Sequence, residues 1–217
     1  NWPMRSSQAS HLWSFKRYIK NANCFYVNIC VGFYPNYLKK IKFDLIIFTH
    51  PFLGERMERD KFREMIECLK FLKSDSAIKI CMPQDEFTSM DILCEFIEEI
   101  GISFVFSVAP ECEWPKIYKK VNREKVRFVR SLTGYLDEKT VNYWSKKNTV
   151  SNRRTLEIGY RTVATAVWGR FNLMKALIAE VFLKETTARQ LPVDIKVGVE
   201  HFKMGDDWLD FLAQCRY

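Results

Sequence analysis

Apolar residues along the chain alternate between two patterns, short continuous runs and repeats at helical spacing. Short runs rich in Ile, Val and Phe are typical of strands that are buried on both sides. They predict five strands: Cys24–Val31, Asp44–Thr49, Ile78–Met82, Ser103–Ala109 and Val126–Leu132. Repeats at three- and four-residue spacing predict the intervening helices: Ser7–Lys20, Arg56–Lys73, Thr88–Ile100 and Pro110–Val121. This alternation through short connections predicts an α/β fold, with a parallel sheet covered by helices on both faces.

A second unit is predicted to begin after a break in this pattern. Asp137–Lys147 has the spacing of a polar helix, and residues 146–154 (KKNTVSNRR) are polar and basic without apolar periodicity. The alternation then resumes as strand, helix, strand and helix: Thr155–Gly159, about Asn172 to Gln190, Val193–Val197 and Asp206–Cys215. These residues are too few for a complete doubly wound domain. We therefore expect a Rossmann-like domain over residues 1–147 and the beginning of a second, truncated one over residues 151–217.

The composition is that of an ordinary soluble globular protein, with 47% hydrophobic and 28% charged residues among 217. No apolar run approaches the roughly 18–20 residues that span a bilayer, and nothing that resembles a signal peptide precedes the first helix. The seven cysteines are scattered, with no CxxC pair, which is typical of free thiols in a reducing compartment and disfavours zinc. We expect a cytoplasmic protein, either free or associated with a membrane surface, that uses no metal and no cofactor.

The formal charge of +8 is concentrated in one segment. Residues 116–130 (KIYKKVNREKVRFVR) contain seven Lys or Arg and a single acid, Glu124. Such a segment suits nucleic acid, an anionic lipid surface or a phosphorylated substrate, or it is simply a solvated helix face followed by a strand. Nucleic acid is disfavoured because the aromatic residues lie in apolar periodic runs and are not interleaved with the basic ones. Lys116, Lys119 and Lys120 remain candidates for contact with an anionic membrane.

Polar residues follow the predicted strands, at the edge where open parallel sheets bind their ligands. His50 follows the second predicted strand and is either a general base or an ordinary loop residue. Gln84, Asp85 and Glu86 follow the third predicted strand. The two carboxylates either accept hydrogen bonds from sugar hydroxyls or remove a proton from one, or they stabilise the start of the next helix.

Two other places suit an anion. Arg5, Ser6 and Ser7 precede the first helix, whose free N–H groups favour an anion, although either serine can equally be the N-cap. Arg161 follows the first strand of the second unit, where its guanidinium suits a diphosphate or forms a surface ion pair. No P-loop, GxGxxG, HExxH or GxSxG motif occurs, which disfavours a Rossmann dehydrogenase and covalent catalysis.

Six stretches of the chain resemble bacterial glycosyltransferase-like proteins from surface-polysaccharide clusters. In order they are RSSQASHLWSFKRY, FDLIIFTHPFLGER, PQDEF, VFSVAPECEWPKIY, LTGYLDE and LEIGYR. Proteins of this kind belong to the broad two-Rossmann-domain (GT-B) class, and the resemblance covers nearly the whole chain. It implies an acceptor-side domain that ends near Lys147 and a nucleotide-sugar domain that starts at about Ser151. The donor-site loops and the acidic ribose-binding motif of the class are expected beyond Tyr217.

The resemblance also implies roles for particular residues. In related retaining enzymes, a Gly-x-Arg after the first strand of the second domain is followed closely by a lysine that shares the diphosphate. Gly159-Tyr160-Arg161 matches the first part, but the next lysine is Lys175, so Arg170 is the candidate substitute.

The activity that the resemblance implies is transfer of a sugar from a nucleotide-sugar to a glycan or a lipid-linked acceptor, without an obligatory metal. Arg161 and helix N-termini would stabilise the departing diphosphate, and His50, Asp85 or Glu86 would orient or deprotonate the acceptor hydroxyl. The alternative is a catalytically inactive binding or scaffold module of a polysaccharide assembly system, because the donor half is missing.

Overall fold

The computed structural model describes residues 6–29, 35–132, 137–150, 154–164 and 169–217. The chain divides into two compact units, one formed by His11–Gly134 and the other by Asn1–Ser10 together with Tyr135–Tyr217. Within the described residues, the first unit contains a four-stranded sheet and the second a two-stranded sheet. The domain limits predicted at residues 147 and 151 remain predictions.

The first unit has the predicted α/β class, with a parallel sheet whose strands lie in chain order. The strands are β1 (Leu45–Phe48), β2 (Ile78–Cys81), β3 (Phe104–Ser107) and β4 (Arg127–Arg130). The helices are α1 (Ser6–Tyr18, in this unit from His11 onwards), α2 (His50–Leu53), α3 (Arg59–Leu69), α4 (Met90–Ile100) and α5 (Trp114–Ile117). Short 3-10 turns cover Asn36–Lys40, Gly54–Met57, Lys70–Ser74 and Glu111–Glu113.

The strand order corrects the expectation that crossover helices cover both faces of this sheet. Each connection passes to the next strand in the same direction, so right-handed crossovers place α3, α4 and α5 on one face. Two ion pairs join α3 to its neighbour α4, Arg59–Asp91 and Arg63–Glu95, and Lys70, in the 3-10 turn that follows α3, pairs with Glu99 of α4. Apolar periodicity shows which side of a helix is buried, but it contains no information on which strand lies next in the sheet.

The core lies between these helices and one face of the sheet. Phe48, Cys81 and Val105 stand in register on the first three strands and are buried. Apolar side chains of α4 at helical spacing belong to the same cluster: Ile92, Leu93, Phe96, Ile97 and Ile100. Burial of one such side chain contributes about 1.5–3 kcal/mol to the stability of the folded state. Since these apolar positions both stabilise the helix and form the pattern that predicts it, the helix lies close to its predicted position. Gly101 ends α4 with φ 72°, as its position predicted.

The first predicted strand, Cys24–Val31, is wrong over the part that the structure describes. Residues 22–28 have no regular secondary structure, and residues 30 and 31 lie outside the described ranges. Ile29 packs against the core, whereas Phe25 is 53% exposed. The apolar run therefore contacts the core without forming a strand. A strand also needs a neighbouring strand with free hydrogen-bonding groups, and apolar composition alone does not supply one.

The second unit pairs two parallel strands, β5 (Ile158–Thr162) and β6 (Val193–Val197). Its helices are α6 (Glu138–Val150), α7 (Arg170–Ala188) and α8 (Asp206–Gln214), and a 3-10 turn covers Val199–His201. The alternation of strands and helices agrees with the pattern predicted for residues 155–215. None of the helices in the described ranges of the chain combines the length and the apolarity needed to cross a bilayer.

The strand β5 is displaced from its predicted position. It begins at Ile158, and Leu156 within the predicted strand forms only an isolated bridge to Cys215. A Cβ atom on Gly159 would collide with Cys215 and with Phe211 of α8. This glycine therefore allows α8 to approach the strand backbone closely. Close packing thus explains the glycine of the Gly-Tyr-Arg motif without any ligand.

Candidate functional site

The loops that leave β1 and β2 start side by side at the carboxyl edge of the first sheet. The pairing of the two strands continues past their ends, because the Met82 N–H donates to the Phe48 carbonyl oxygen at 2.9 Å. The residue after Thr49 is His50, at the start of α2, and the loop after Met82 contains Gln84, Asp85 and Glu86. Parallel pairing thus brings the predicted polar residues of both loops to one edge of the sheet.

A buried arginine holds the loop that follows β2. The Arg56 side chain is 1% exposed, and its guanidinium donates to the carbonyl oxygens of Leu53 at 2.7 Å, Gln84 at 2.6 Å and Asp85 at 2.9 Å. Burial lowers the pKa of this arginine, and the negative charge of Asp85 opposes that effect. Arg56 could not be recognised from the sequence, since an arginine at the start of a predicted helix carries no local sign that it is buried.

The same loop contains two left-handed residues that are not glycine. Asp85 has φ 52° and Ser89 has φ 50°. Such conformations are costly for residues with a Cβ atom and persist where surrounding contacts enforce them. Because Arg56 uses the carbonyl oxygens of Gln84 and Asp85, the backbone of both residues is fixed while their side chains remain exposed.

Glu86 has internal partners that the sequence did not reveal. Its buried carboxylate accepts hydrogen bonds from the Ser107 hydroxyl at 2.6 Å, from the N–H groups of Val108 and Ala109 at 2.7 and 3.1 Å, and from the Tyr118 hydroxyl. Burial and the neighbouring Glu86 charge raise the pKa of Tyr118. The carboxylate therefore joins the loop after β2 to the loop after β3. The predicted catalytic role of Glu86 stays a prediction.

His50 lies beside a second histidine, His11, that no sequence pattern marked as part of this site. The ring centroids of His50 and His11, on α1, are 5.4 Å apart. Burial is the main reason that the pKa of His50 falls to about 4; the charge of His11 lowers it further and that of Asp85 raises it. Burial also lowers the pKa of His11, whose Nε2 has no hydrogen-bond partner within the described part of the chain. Both imidazoles are therefore neutral near pH 7, and a neutral imidazole accepts a hydrogen bond or a proton.

Arg161 is occupied by partners inside the second unit. Its side chain is 5% exposed and forms an ion pair with Asp194 of the neighbouring strand. The guanidinium also donates to the Asp194 carbonyl oxygen at 2.7 Å and lies 4.4 Å from the centroid of the Phe211 ring. The ion pair that the sequence left open is present; its Arg161 side chain is buried, whereas its Asp194 side chain is 31% exposed. A role in binding a diphosphate stays a prediction.

The other predicted anion contacts are less constrained. Arg170 is the first residue of α7 and is exposed. Ser7 is exposed within the first turn of α1, Ser6 is the first residue of that helix, and Arg5 lies outside the described residues. Lys116, Lys119 and Lys120 are exposed on and after α5. For these residues, too, the predicted roles stay predictions.

The carboxyl edge of the first sheet thus presents a neutral, half-buried imidazole near an exposed carboxylate on a fixed loop. This arrangement suits hydrogen bonding to a hydroxylated ligand and the acceptance of a proton from it. The described residues contain no group of three or more His, Cys, Asp or Glu side chains placed to hold a metal ion. Comparisons of the chain with protein-family models, with curated proteins and with solved structures found no match.

Proposed function

We propose that the protein transfers a sugar from a nucleotide-sugar to a hydroxyl group of a glycan or lipid-linked acceptor, in the cytoplasm at a membrane surface. The acceptor would bind at the carboxyl edge of the first sheet. The observation that carries this proposal is the placement of the half-buried His50 just after β1, at the sheet edge where the paired strand β2 leads into the loop with the exposed Asp85. In this proposal the second unit contributes to the nucleotide-sugar domain of a GT-B protein.

The chemistry assigned to His50 is that of a general base. As the acceptor oxygen forms a bond to the anomeric carbon, its proton passes to the imidazole, and the bond to the diphosphate breaks with the electron pair on the leaving group. The negative charge of Asp85 favours the imidazolium that results. Gln84, exposed on the same loop, would donate to or accept from neighbouring sugar hydroxyls.

Donor binding in this proposal rests on the resemblance and on the second unit. Arg170 is the better placed of the two arginines, because it is exposed at the N-terminus of a 19-residue helix. Arg161 would have to exchange its contact with Asp194 for a contact with phosphate.

The test is an assay of transfer from a panel of nucleotide-sugars to glycan acceptors. We expect His50→Asn to reduce the rate by about 10²–10⁴-fold, the range for loss of a general base. His201→Asn serves as the matched control, because this third histidine lies in the second unit and is no part of the proposed site. Failure of every donor to bind or to turn over would overturn the proposal.

A second candidate is a binding or scaffold module without catalysis. It is favoured by the occupied state of two predicted site residues, since Arg161 is paired with Asp194 and Glu86 is engaged by four internal donors. This candidate predicts that a glycan binds, that Gln84→Ala weakens its binding, and that no nucleotide-sugar is bound or hydrolysed. Turnover of any donor by the wild-type protein would exclude it.

A further inference from the structure

A groove lies between α4 and α5, and no residue of the proposed catalytic pair contributes to it. Its volume is about 370 Å³, within the range of about 300–1,000 Å³ that is usual for small-molecule sites. Apolar side chains form part of its wall, among them Phe87, Met90 and Ile117. Phe87 is 70% exposed, so part of the groove's lining is an aromatic surface that solvent reaches.

Three lysines, Lys116, Lys119 and Lys120, line the same groove. Lys116 contacts Glu113 at 3.1 Å across one helical turn. Among the described residues, no carboxylate lies within ion-pair distance of Lys119 or Lys120.

The two acidic residues of the groove are already satisfied. Asp91 accepts from Arg59 at 2.8 Å, and this hydrogen bond holds the pKa of Asp91 well below its usual range. The Glu86 carboxylate accepts hydrogen bonds from internal donors such as the Ser107 and Tyr118 hydroxyls. The groove therefore combines an apolar wall with an excess of positive charge.

We propose that this groove binds a phosphate or a similar oxyanion that is attached to an apolar or aromatic body. The ammonium groups of Lys119 and Lys120 contact the anion, and Phe87, Met90 and Ile117 contact the apolar part. The shared chemistry fits a soluble aryl or nucleoside phosphate and also the phosphate headgroup of a lipid. This site goes beyond the proposed sugar transfer, and its existence does not depend on it.

The experiment measures binding of two probes to the full chain, with inorganic phosphate as a reference ligand that lacks the apolar body. Phenyl phosphate, followed by calorimetry, represents the soluble ligand, and vesicles of phosphatidylcholine with phosphatidylglycerol, against phosphatidylcholine alone, represent the lipid. The test variant is Lys119→Glu/Lys120→Glu, and Lys119→Gln/Lys120→Gln replaces it if the reversed charges impair folding. The matched control is Lys42→Glu/Lys125→Glu, which changes the net charge equally at exposed lysines outside the groove.

We expect the test variant to weaken binding at least about tenfold, as for loss of charge-assisted hydrogen bonds, while the control variant binds like the wild type. Phe87→Ala should weaken phenyl phosphate but leave inorganic phosphate unchanged. Groove-dependent binding of phenyl phosphate alone assigns a soluble ligand, and groove-dependent binding of the vesicles, alone or as well, assigns a lipid headgroup. The proposal is overturned if neither probe binds, or if the control variant loses binding as much as the test variant does.

Discussion

The guanidinium of Arg56 donates a hydrogen bond of 2.9 Å to the carbonyl oxygen of Asp85, whose backbone is left-handed with φ 52°. A buried cation thus holds the residue that carries the proposed site's exposed carboxylate. Because the contact is made to the main chain, it fixes the position of Asp85 without neutralising its side chain. Arg56 is therefore a positioning residue in the proposed site.

Replacing Arg56 with Met should destabilise the first unit by about 2–5 kcal/mol, since the carbonyl oxygens of Leu53, Gln84 and Asp85 would lose a buried donor. Urea unfolding measures the difference in free energy. Arg63→Met is the control, because Arg63 is half-exposed and its two ion pairs, with Asp60 at 3.7 Å and Glu95 at 3.8 Å, are long, and we expect a change of at most about 0.5 kcal/mol. Equal stability of the two variants would contradict the assigned role of Arg56.

The sequence predicted the elements of the fold better than their arrangement. The runs at Ile78–Met82 and Ser103–Ala109 and the helix ending at Gly101 have local causes, namely burial, helical spacing and a left-handed stop residue. The run at Cys24–Val31 has the same apolar composition but no paired neighbour in the described residues. An apolar run indicates that a segment is buried. It does not distinguish a buried strand from a buried irregular segment, because both have the same apolar composition.

The candidate site was predicted only in part for a related reason. His50, Gln84 and Asp85 could be found because they directly follow predicted strands. Arg56 and His11 could not, since Arg56 meets its carbonyl partners 28 and 29 positions away and His11 meets His50 through the packing of α1. Contacts between residues so far apart in sequence depend on tertiary packing, which spacing within a segment does not encode.

The buried state of His50 predicts a dependence of stability on pH. Its pKa is about 4 in the folded protein and about 6.5 when unfolded, so between these values the unfolded chain binds a proton that the folded one does not. Stability should therefore fall as the pH drops from about 6.5 to about 4. Allowing for partial solvent screening, we expect a loss of about 2 kcal/mol from this residue.

Urea unfolding at several pH values within this window measures the slope for the wild type and for His50→Asn. The variant should show a smaller loss of stability on acidification, with a remaining slope from the neighbouring His11, whose pKa burial also lowers. His201→Asn should retain the wild-type slope. An unchanged slope in His50→Asn would show that this imidazole is not held neutral by the fold.

Asp85→Asn should separate the catalytic interpretation of Asp85 from a structural one. Asparagine tolerates the left-handed backbone, so the folded state should keep nearly its wild-type stability. Loss of the negative charge should lower the pKa of His50 further, because Asp85 raises it in the wild type. Histidine NMR titration measures that shift, and sugar transfer should fall by about tenfold or more. Reduced stability with unchanged transfer would instead identify Asp85 as part of the helix start.

The ion pair of Arg161 with Asp194 allows the donor side to be tested by a comparison of two arginines. Arg161→Met leaves the Asp194 carboxylate without its buried partner and should destabilise the second unit by about 3 kcal/mol, with or without nucleotide-sugar. Arg170→Met removes an exposed side chain and should leave stability nearly unchanged while weakening donor binding, if the proposed function is right. Thermal unfolding and nucleotide-sugar titration of both variants measure the two effects. If Arg170→Met still binds the donor, Arg170 is not part of the donor site. If Arg161→Met is stable but no longer binds the donor, Arg161 is the phosphate ligand in spite of its pairing with Asp194.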